Sequence, residues 1–168
     1  DFDDGKASQL GDYLPGKLGF DEGESFLTAV FPGKYEGNLL FVFENGKAAK
    51  IAASCYDTKS NRKRLTGAYS DKSPLAALLT LTEDKELALI STEPRALLLH
   101  TALLAPKTTR ATQGVAVMTL KKNQQVLRAV LAEGSGIENP ARYRTRTLPA
   151  AGALLKEEDS PDKQLSLL

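Results

Sequence analysis

The sequence predicts an all-β protein built from repeated, blade-like units of short strands. In residues 39–53, LLFVFENGKAAKIAA, an Asn-Gly pair separates two β-prone runs, which is the strongest short-range signal for a β-hairpin. The pattern recurs 48 residues later as LALISTEPRALLL in residues 87–99. A second similarity places residues 18–26 over 118–126, at an offset of 100 residues. Repeats of 40 to 50 residues made of short strands are typical of propeller-like folds.

The first strand of this hairpin is predicted to be buried on both faces. Alternate side chains of a strand point to opposite faces, and every residue from Leu39 to Phe43 is apolar. The Asn-Gly pair predicts a type I′ turn, which requires a positive φ at both central residues. The second strand carries Lys47 and Lys50, so we expect a polar neighbour or solvent beside it.

Short strands and loops are expected along the rest of the chain. Residues 13–18, with Pro15-Gly16, predict a turn into a strand near Gly19-Phe20. Residues 75–81 also suit a short helix, because Ala and Leu favour helix, but their similarity to residues 126–130 favours a strand. The remaining predicted strands are residues 26–31, 115–120 and 126–131.

The chain of 168 residues is long enough for one domain with a substantial core. We divide it into residues 1–12, the remnant of a preceding blade or a connector, residues 13–152, the repeats, and residues 153–168, an acidic flexible tail. It begins without Met and within a unit, so we interpret it as a fragment of a longer protein. It contains no run of 18 apolar residues, which predicts no membrane-spanning helix.

Charge is unevenly distributed along the sequence. The net charge is only +1, but residues 1–24 are net −5, residues 47–72 are net +5, and residues 95–128 contain six basic residues and no acid. This asymmetry predicts a surface that faces a polyanion. The alternative is that these lysines and arginines only make the surface soluble, which would give a more even distribution.

Basic residues spaced along successive units suit a long, uniformly charged ligand such as duplex DNA, whose phosphates are contacted without reading the bases. Arg142, Arg144 and Arg146 alternate with polar residues and would share one face of an extended strand. The alternative for these three is an edge strand protected by charge. The candidate phosphate contacts are Lys47, Lys50, Lys59, Arg62, Lys63, Arg64, Arg95, Lys107, Arg110, Arg142, Arg144 and Arg146.

No catalytic residue, metal site or cofactor is predicted. The single histidine, His100, lies in an apolar strand and is expected to be packed in the core. The single cysteine, Cys55, excludes an internal disulfide and a cysteine-based zinc site. The sequence contains no phosphate-binding loop of the form GxxxxGK[ST].

The hairpin, the basic loop after it and the segment TRATQGVAVMTL together resemble the C-terminal domain of the A subunit of bacterial type IIA topoisomerases, which are DNA gyrase and topoisomerase IV. The resemblance covers roughly residues 6–133. Residues 43–50 match the family's hairpin, and residues 21–24 resemble the turn between its blades. The residues that match the repeat best are Arg110, Thr112, Gly114, Val115 and Leu120.

The resemblance implies a β-pinwheel, a propeller-like disc whose blades exchange strands, here present as a partial or open disc. It implies sequence-independent binding and bending of duplex DNA around a basic rim, which presents the DNA to a distant cleavage core. This part would not be an enzyme, and it would need no cofactor. The parent would be an ATP-dependent type II topoisomerase, working with its B subunit in the cytoplasm and associated with the nucleoid.

Gyrase-type supercoiling depends in this family on a basic heptapeptide, Gln-Arg-Arg-Gly-Gly-Lys-Gly. This sequence lacks it, and the nearest approach, residues 61–67, has no double glycine. The resemblance therefore favours a topoisomerase IV-like parent.

Two protein-binding hypotheses remain open. The final residues resemble the bacterial peptide that binds the DNA polymerase sliding clamp, with apolar side chains for an extended peptide to place in pockets. The other hypothesis is a blade-repeat domain that binds proteins rather than DNA. The residues of the proposed peptide are Gln164, Leu165, Leu167 and Leu168, with Ser166 between them.

Overall fold

The computed structural model describes residues 11–31, 33–58 and 64–159. It is built almost entirely of β-strands, with one short helix, α1, at Leu14–Leu18. The all-β prediction is confirmed. The strands are β1 (Asn38–Phe43), β2 (Lys47–Ala52), β3 (Leu75–Leu81), β4 (Glu86–Ser91), β5 (Arg95–His100), β6 (Val115–Ala116), β7 (Val126–Leu131) and β8 (Ala153–Leu154).

The strands form two four-stranded antiparallel sheets with the same plan, in the orders β3-β1-β2-β6 and β7-β4-β5-β8. Each sheet is centred on one copy of the repeated hairpin, and β4 and β5 begin 48 residues after β1 and β2. The predicted repeat is therefore confirmed. The segment with helical composition, residues 75–81, is β3, because it pairs along β1.

The first hairpin closes through a three-residue loop, so the predicted type I′ turn is wrong. Gly46 donates its N–H to the carbonyl of Phe43 at 3.1 Å. Gly46 has a φ of +79°, whereas Asn45 is outside the left-handed region and uses its side chain to accept the N–H of Lys47. A type I turn followed by a left-handed glycine is the usual three-residue alternative. A Cβ at Gly46 would lie 2.3 Å from the carbonyl oxygen of Met118, so only glycine fits.

β1 is buried on both faces, as predicted. Leu40 and Val42 belong to the cluster between the two sheets. Leu39, Phe41 and Phe43 belong to a second cluster on the opposite face of the first sheet. Every residue from 39 to 43 is at most 5% exposed.

The sheets stack in the same sense, like successive blades. The face of the first sheet that carries Val42 and Ala48 packs on the face of the second sheet that carries Leu89 and Leu97. Those leucines are the 48-residue equivalents of Phe41 and Ala49, which lie on the outer face of the first sheet. Equivalent faces therefore point in the same direction around the stack, as repeated blades require.

The expected strands before β1 are not formed. Residues 14–18 form α1 instead of a turn, and no strand follows near Gly19-Phe20. Residues 26–31 form no strand pairing with any described residue, and Phe31 is 89% exposed. Their equivalents β3 and β7 each pair with the first strand of a hairpin, and the described residues contain no third hairpin to receive residues 26–31.

Three further predictions are corrected in the second half of the chain. The strand expected over residues 115–120 is shortened to β6, Val115–Ala116. It ends there because Val117 and Met118 donate their N–H groups to the carbonyl of Gly46. His100 is exposed at the end of β5, where its Nδ1 accepts the N–H of Ala102. Residues 153–159 pack on the second sheet, and Asp159 is fully buried, so the flexible tail cannot begin at residue 153. No helix of the described residues is long and apolar enough to span a membrane.

Candidate nucleic-acid interface

Two basic segments of the described residues lie along the outer edges of the two sheets. β3 contacts β7, so β6 and β8 lie at the far ends of their sheets. One chain segment, residues 106–119, follows the free side of β2, and another, residues 142–154, follows the free side of β5. Both segments therefore line the same kind of edge in successive units.

A glycine brings each segment against the strand backbone. Gly114 and Gly152 have φ values of +71° and +69°. A Cβ at these positions would lie 2.1 Å from the carbonyl oxygen of Ala48 and 2.5 Å from that of Ala96. Ala48 and Ala96 are 48 residues apart, so the close approach is part of the repeat.

The two edge segments also bond to each other. Thr119 donates its N–H to the carbonyl of Ala150 at 2.9 Å, and Ala150 donates its own to the carbonyl of Val117 at 3.1 Å. The edges therefore form one continuous surface. We call this surface, residues 106–119 and 142–154 together with the side chains of Lys47 and Arg95, the basic rim.

The first half of the basic rim, residues 106–119 with Lys47, presents three of the predicted phosphate contacts. Lys107 is exposed and is fixed through its backbone, which bonds to the carbonyl of Lys50 at 2.7 Å. The Arg110 guanidinium donates to the carbonyl of Cys55 at 2.9 Å, and the Lys47 ammonium donates to the amide oxygen of Gln113 at 3.3 Å. None of these three basic side chains forms an ion pair within the described residues, so their charge is available to a ligand.

In the second half of the basic rim, residues 142–154 with Arg95, two arginines form ion pairs with acidic side chains. Arg95 donates to the carbonyl of Gly152 at 2.9 Å and lies 3.6 Å from the carboxylate of Glu93. Arg144 forms two hydrogen bonds to Glu86, at 2.5 and 3.0 Å. The bonds from Arg144 lower the pKa of Glu86, so this pair is ionised at neutral pH. Phosphate would have to compete with these carboxylates.

The extended strand predicted for the three arginines after residue 141 is wrong. Pro140–Arg142 form a 3₁₀ turn, and Tyr143 is buried against the second sheet. Arg142 and Arg146 are exposed, and the described residues offer them no ion pair. The three side chains thus share the rim without sharing one strand face.

Lys50 does not lie on this surface. Its side chain is 4% exposed and points between the sheets, where the ammonium is paired with Asp84. A lysine without exposed charge cannot contact a phosphate, so the structure removes Lys50 from the candidate contacts.

Arg64 lies apart from the basic rim and is neutralised by the acidic turn at residues 21–24. Its guanidinium is 2.6 Å from Asp21 and 3.1 Å from Glu24. The hydrogen bond and charge of Asp21, with the charge of Glu24, raise the pKa of Arg64. The remaining predicted residues lie outside the described part of the chain, and they are Lys59, Arg62, Lys63, Gln164, Leu165, Leu167 and Leu168.

Sequence reasoning missed the hydroxyl groups of the basic rim. Thr108 and Thr109 are exposed beside Lys107, and Thr145 and Thr147 lie in the second edge segment. Hydroxyl groups are common donors to phosphate oxygens. The signal was present in the sequence, because residues 106–119 and 142–154 are rich in threonine and contain no acid.

The described residues contain no cluster of three or more His, Cys, Asp or Glu side chains able to hold a metal ion. The Cys55 thiol lies 3.3 Å from the carbonyl of Thr108, and burial raises the pKa of neighbouring Tyr56 to about 12. Within the described residues, the two edge segments present basic and hydroxyl-bearing side chains.

Comparison with known proteins supports the same architecture. No protein family and no curated sequence matches the chain. Among solved structures, the C-terminal domain of DNA topoisomerase IV superposes with a TM-score of 0.72 at 21% identity, over 89% of this chain and 52% of that one. The chain has the β-pinwheel fold. The sequence-based resemblance to these C-terminal domains is thereby confirmed at the level of fold.

Two further structures share this β-pinwheel. The DNA gyrase A C-terminal domain gives a TM-score of 0.64 at 16% identity, over 92% of this chain and 56% of that one. The E. coli ParC C-terminal domain gives 0.52 at 24% identity, over 74% and 50%. This chain therefore spans about half the length of the domains that it matches, in agreement with a partial disc.

Proposed function

We propose that this β-pinwheel is a non-catalytic unit that binds and bends duplex DNA without sequence preference. The observation that carries the proposal is the continuous basic rim, on which Lys47, Lys107, Arg110, Arg142 and Arg146 form no ion pair within the described residues. The fold shared with topoisomerase C-terminal domains supports this proposal.

Phosphate is the ligand that suits these groups. Lysine and arginine gain affinity for DNA by releasing counterions, and hydroxyl and backbone N–H donors fix the register of the duplex. The free charges of Lys107 and Arg110 lie on the first sheet, and those of Arg142 and Arg146 lie beside the second. One duplex can therefore contact both units in succession.

The two-sheet arrangement favours a bent duplex. Each half of the basic rim belongs to its own sheet, and a duplex that bends from the edge of one sheet to the edge of the next would contact both halves. Bending a site of 20–30 bp costs on the order of 1–6 kcal/mol, which the added contacts to the second half would offset.

Charge reversal on the first half tests the proposal. The double variant Lys107→Glu, Arg110→Glu is expected to bind a 30 bp duplex about 10–100-fold more weakly, because two phosphate contacts become repulsive. The slope of log K against log salt should also become less steep, by the amount expected for the loss of about two phosphate contacts. Fluorescence anisotropy with labelled duplex measures both quantities.

The matched control for this experiment is Lys72→Glu. Lys72 is an exposed lysine just before β3, at the opposite edge of the first sheet, and its side chain has no ion pair among the described residues. We expect the affinity of this variant to stay within about threefold of wild type, since only the long-range charge changes. Equal losses in the control and the double variant would reject the basic rim as the binding surface.

The identity of the parent protein belongs to the same proposal. We propose the A subunit of an ATP-dependent type II topoisomerase, acting with its B subunit on nucleoid DNA in the cytoplasm. The missing gyrase heptapeptide supports a topoisomerase IV-like activity over a gyrase-like one. The sliding-clamp peptide at residues 164–168 stays a prediction, to be tested by binding of the purified clamp to the free peptide.

A further inference from the structure

Lys50 connects the two sheets through a partly buried network, in which the lysine is 4% exposed and Asp84 is 37% exposed. It lies in β2, and its ammonium donates hydrogen bonds to the carboxylate of Asp84 and to the carbonyl of Thr101. Asp84 belongs to the connection between β3 and β4, and Thr101 begins the 3₁₀ turn after β5. One lysine of the first sheet therefore holds two segments at the end of the second sheet.

Every polar group of this network has a partner. The Thr101 hydroxyl donates to Asp84 at 2.8 Å and accepts the N–H of Lys85 at 2.9 Å, and the Thr101 N–H donates to the carbonyl of Lys85 at 2.9 Å. Hydrogen bonds from Lys50 and Thr101 lower the pKa of Asp84, so the pair is ionised at neutral pH. We call Lys50, Asp84 and Thr101 the inter-sheet bracket.

The repeat shows that the fold does not require a lysine at this position. The residue 48 positions later is Leu98, which is 1% exposed and packs in an apolar cluster with Tyr143. An apolar side chain therefore suits the same place in the second sheet. Replacing a buried ion pair by apolar groups is often neutral or stabilising, and the better supported benefit of such pairs is to select one arrangement.

We propose that Lys50 is a positioning residue that fixes the second sheet relative to the first and so sets the angle between the two halves of the basic rim. This inference rests on the proposed DNA-binding function. Lys50 acts from the interior, because its side chain is 4% exposed and its ammonium bonds to Asp84 and Thr101, while its backbone carbonyl accepts the N–H of Lys107 on the basic rim. Its effect is therefore on the path of the bound duplex rather than on the number of phosphates contacted.

Two lysine-to-methionine variants of the same strand separate positioning from binding. For Lys50→Met we expect a DNA affinity within about twofold of wild type, since every exposed rim charge remains. The bend of an end-labelled duplex, measured by energy transfer, should decrease or broaden. The amide protons of Lys85 and Thr101 should exchange about tenfold faster, because the bracket that protects them is broken.

The matched variant Lys47→Met is expected to show the reverse pattern. It removes a half-buried rim lysine three residues earlier and leaves the inter-sheet bracket intact. DNA affinity should fall by about two- to fivefold, whereas the bend and the exchange at Lys85 and Thr101 should stay unchanged. If Lys50→Met does not fold, Thr101→Val removes one arm of the bracket and carries the same expectation for exchange and bend.

Two results would overturn the inference. One is an unchanged bend with unchanged amide exchange in folded Lys50→Met. The other is a loss of affinity at Lys50→Met equal to that at Lys47→Met with the bend intact, which would make Lys50 a direct contact. If the wild-type chain binds no DNA, the proposed function fails. Amide exchange then decides the bracket alone, with faster exchange supporting it and unchanged exchange rejecting it.

Discussion

Phe41→Ala is expected to lower the free energy of unfolding by about 3–5 kcal/mol. Phe41 is 2% exposed in the central strand β1 of the first sheet. Its ring stacks with Tyr69 at a centroid distance of 5.6 Å and with Tyr56 at 6.1 Å. Alanine would leave a cavity that β1 cannot close, because its neighbours β2 and β3 hold it on both sides.

Chemical denaturation monitored by circular dichroism measures this loss. The matched control is Phe31→Ala, since Phe31 is 89% exposed and should change the stability by no more than about 0.5 kcal/mol. A Phe41→Ala protein as stable as the control would show that the outer face of the first sheet is not a packed core.

Asp159→Ala, in the segment after β8, is expected to lower the free energy of unfolding by a similar amount. The fully buried carboxylate accepts hydrogen bonds from the Tyr143 hydroxyl at 2.6 Å and from the N–H groups of Glu138 and Asn139 at 2.7 and 3.1 Å. Removing the acceptor leaves the buried Tyr143 hydroxyl and two partly buried backbone N–H groups without this partner, at about 1–3 kcal/mol for each group that water cannot reach.

Thermal unfolding compares Asp159→Ala with Glu158→Ala, which removes the neighbouring acid. Glu158 is half exposed, and among the described residues it pairs only with Lys156 at 3.1 Å, so its loss should cost at most about 1 kcal/mol. Equal melting temperatures for the two variants would mean that the segment after β8 contributes nothing to the fold.

The contribution of Asp159 to the stability of the fold also has a defined pH dependence. Burial opposes ionisation of Asp159, but the bonds from Tyr143 and from the two backbone N–H groups outweigh it and lower the pKa. A carboxyl whose pKa is lower in the folded state stabilises the fold fully above its unfolded pKa, near 4. That stabilisation is lost as the pH falls through the folded pKa. The stability difference between wild type and Asp159→Ala should therefore be largest near pH 7 and shrink below about pH 4.

Local sequence signals were sufficient for the central hairpins and insufficient for the strands added to them. The apolar run at 39–43 and the following turn specify β1 and β2 almost independently of context. Residues 26–31 carry the same kind of apolar pattern as β3, but a strand also needs a neighbour, and none of the described hairpins is free to pair with them. The alternating residues 142–146 fit a charged edge strand equally well, and only the buried position of Tyr143 decides against it.

Prediction from the sequence was limited in the same way for the charged residues of the candidate site. Composition predicted that Lys107 and Arg110 face a polyanion, and the structure shows that Lys107 is exposed and Arg110 is half-exposed. It could not show that Lys50 is buried, because its partner Asp84 is 34 residues away. It also could not show that Arg144 is held by Glu86, 58 residues earlier. Pairing between distant residues, rather than local pattern, decides which basic side chains are free.

The most direct test of the account is the binding of this chain to duplexes of unrelated sequence over a range of salt concentrations. We expect equal affinity for each duplex and a linear fall of log K with log salt, with a slope of about −4 if four or five rim side chains contact phosphates. Absence of binding at low salt, or binding confined to one sequence and insensitive to salt, would contradict the assignment of the basic rim as a surface for duplex DNA.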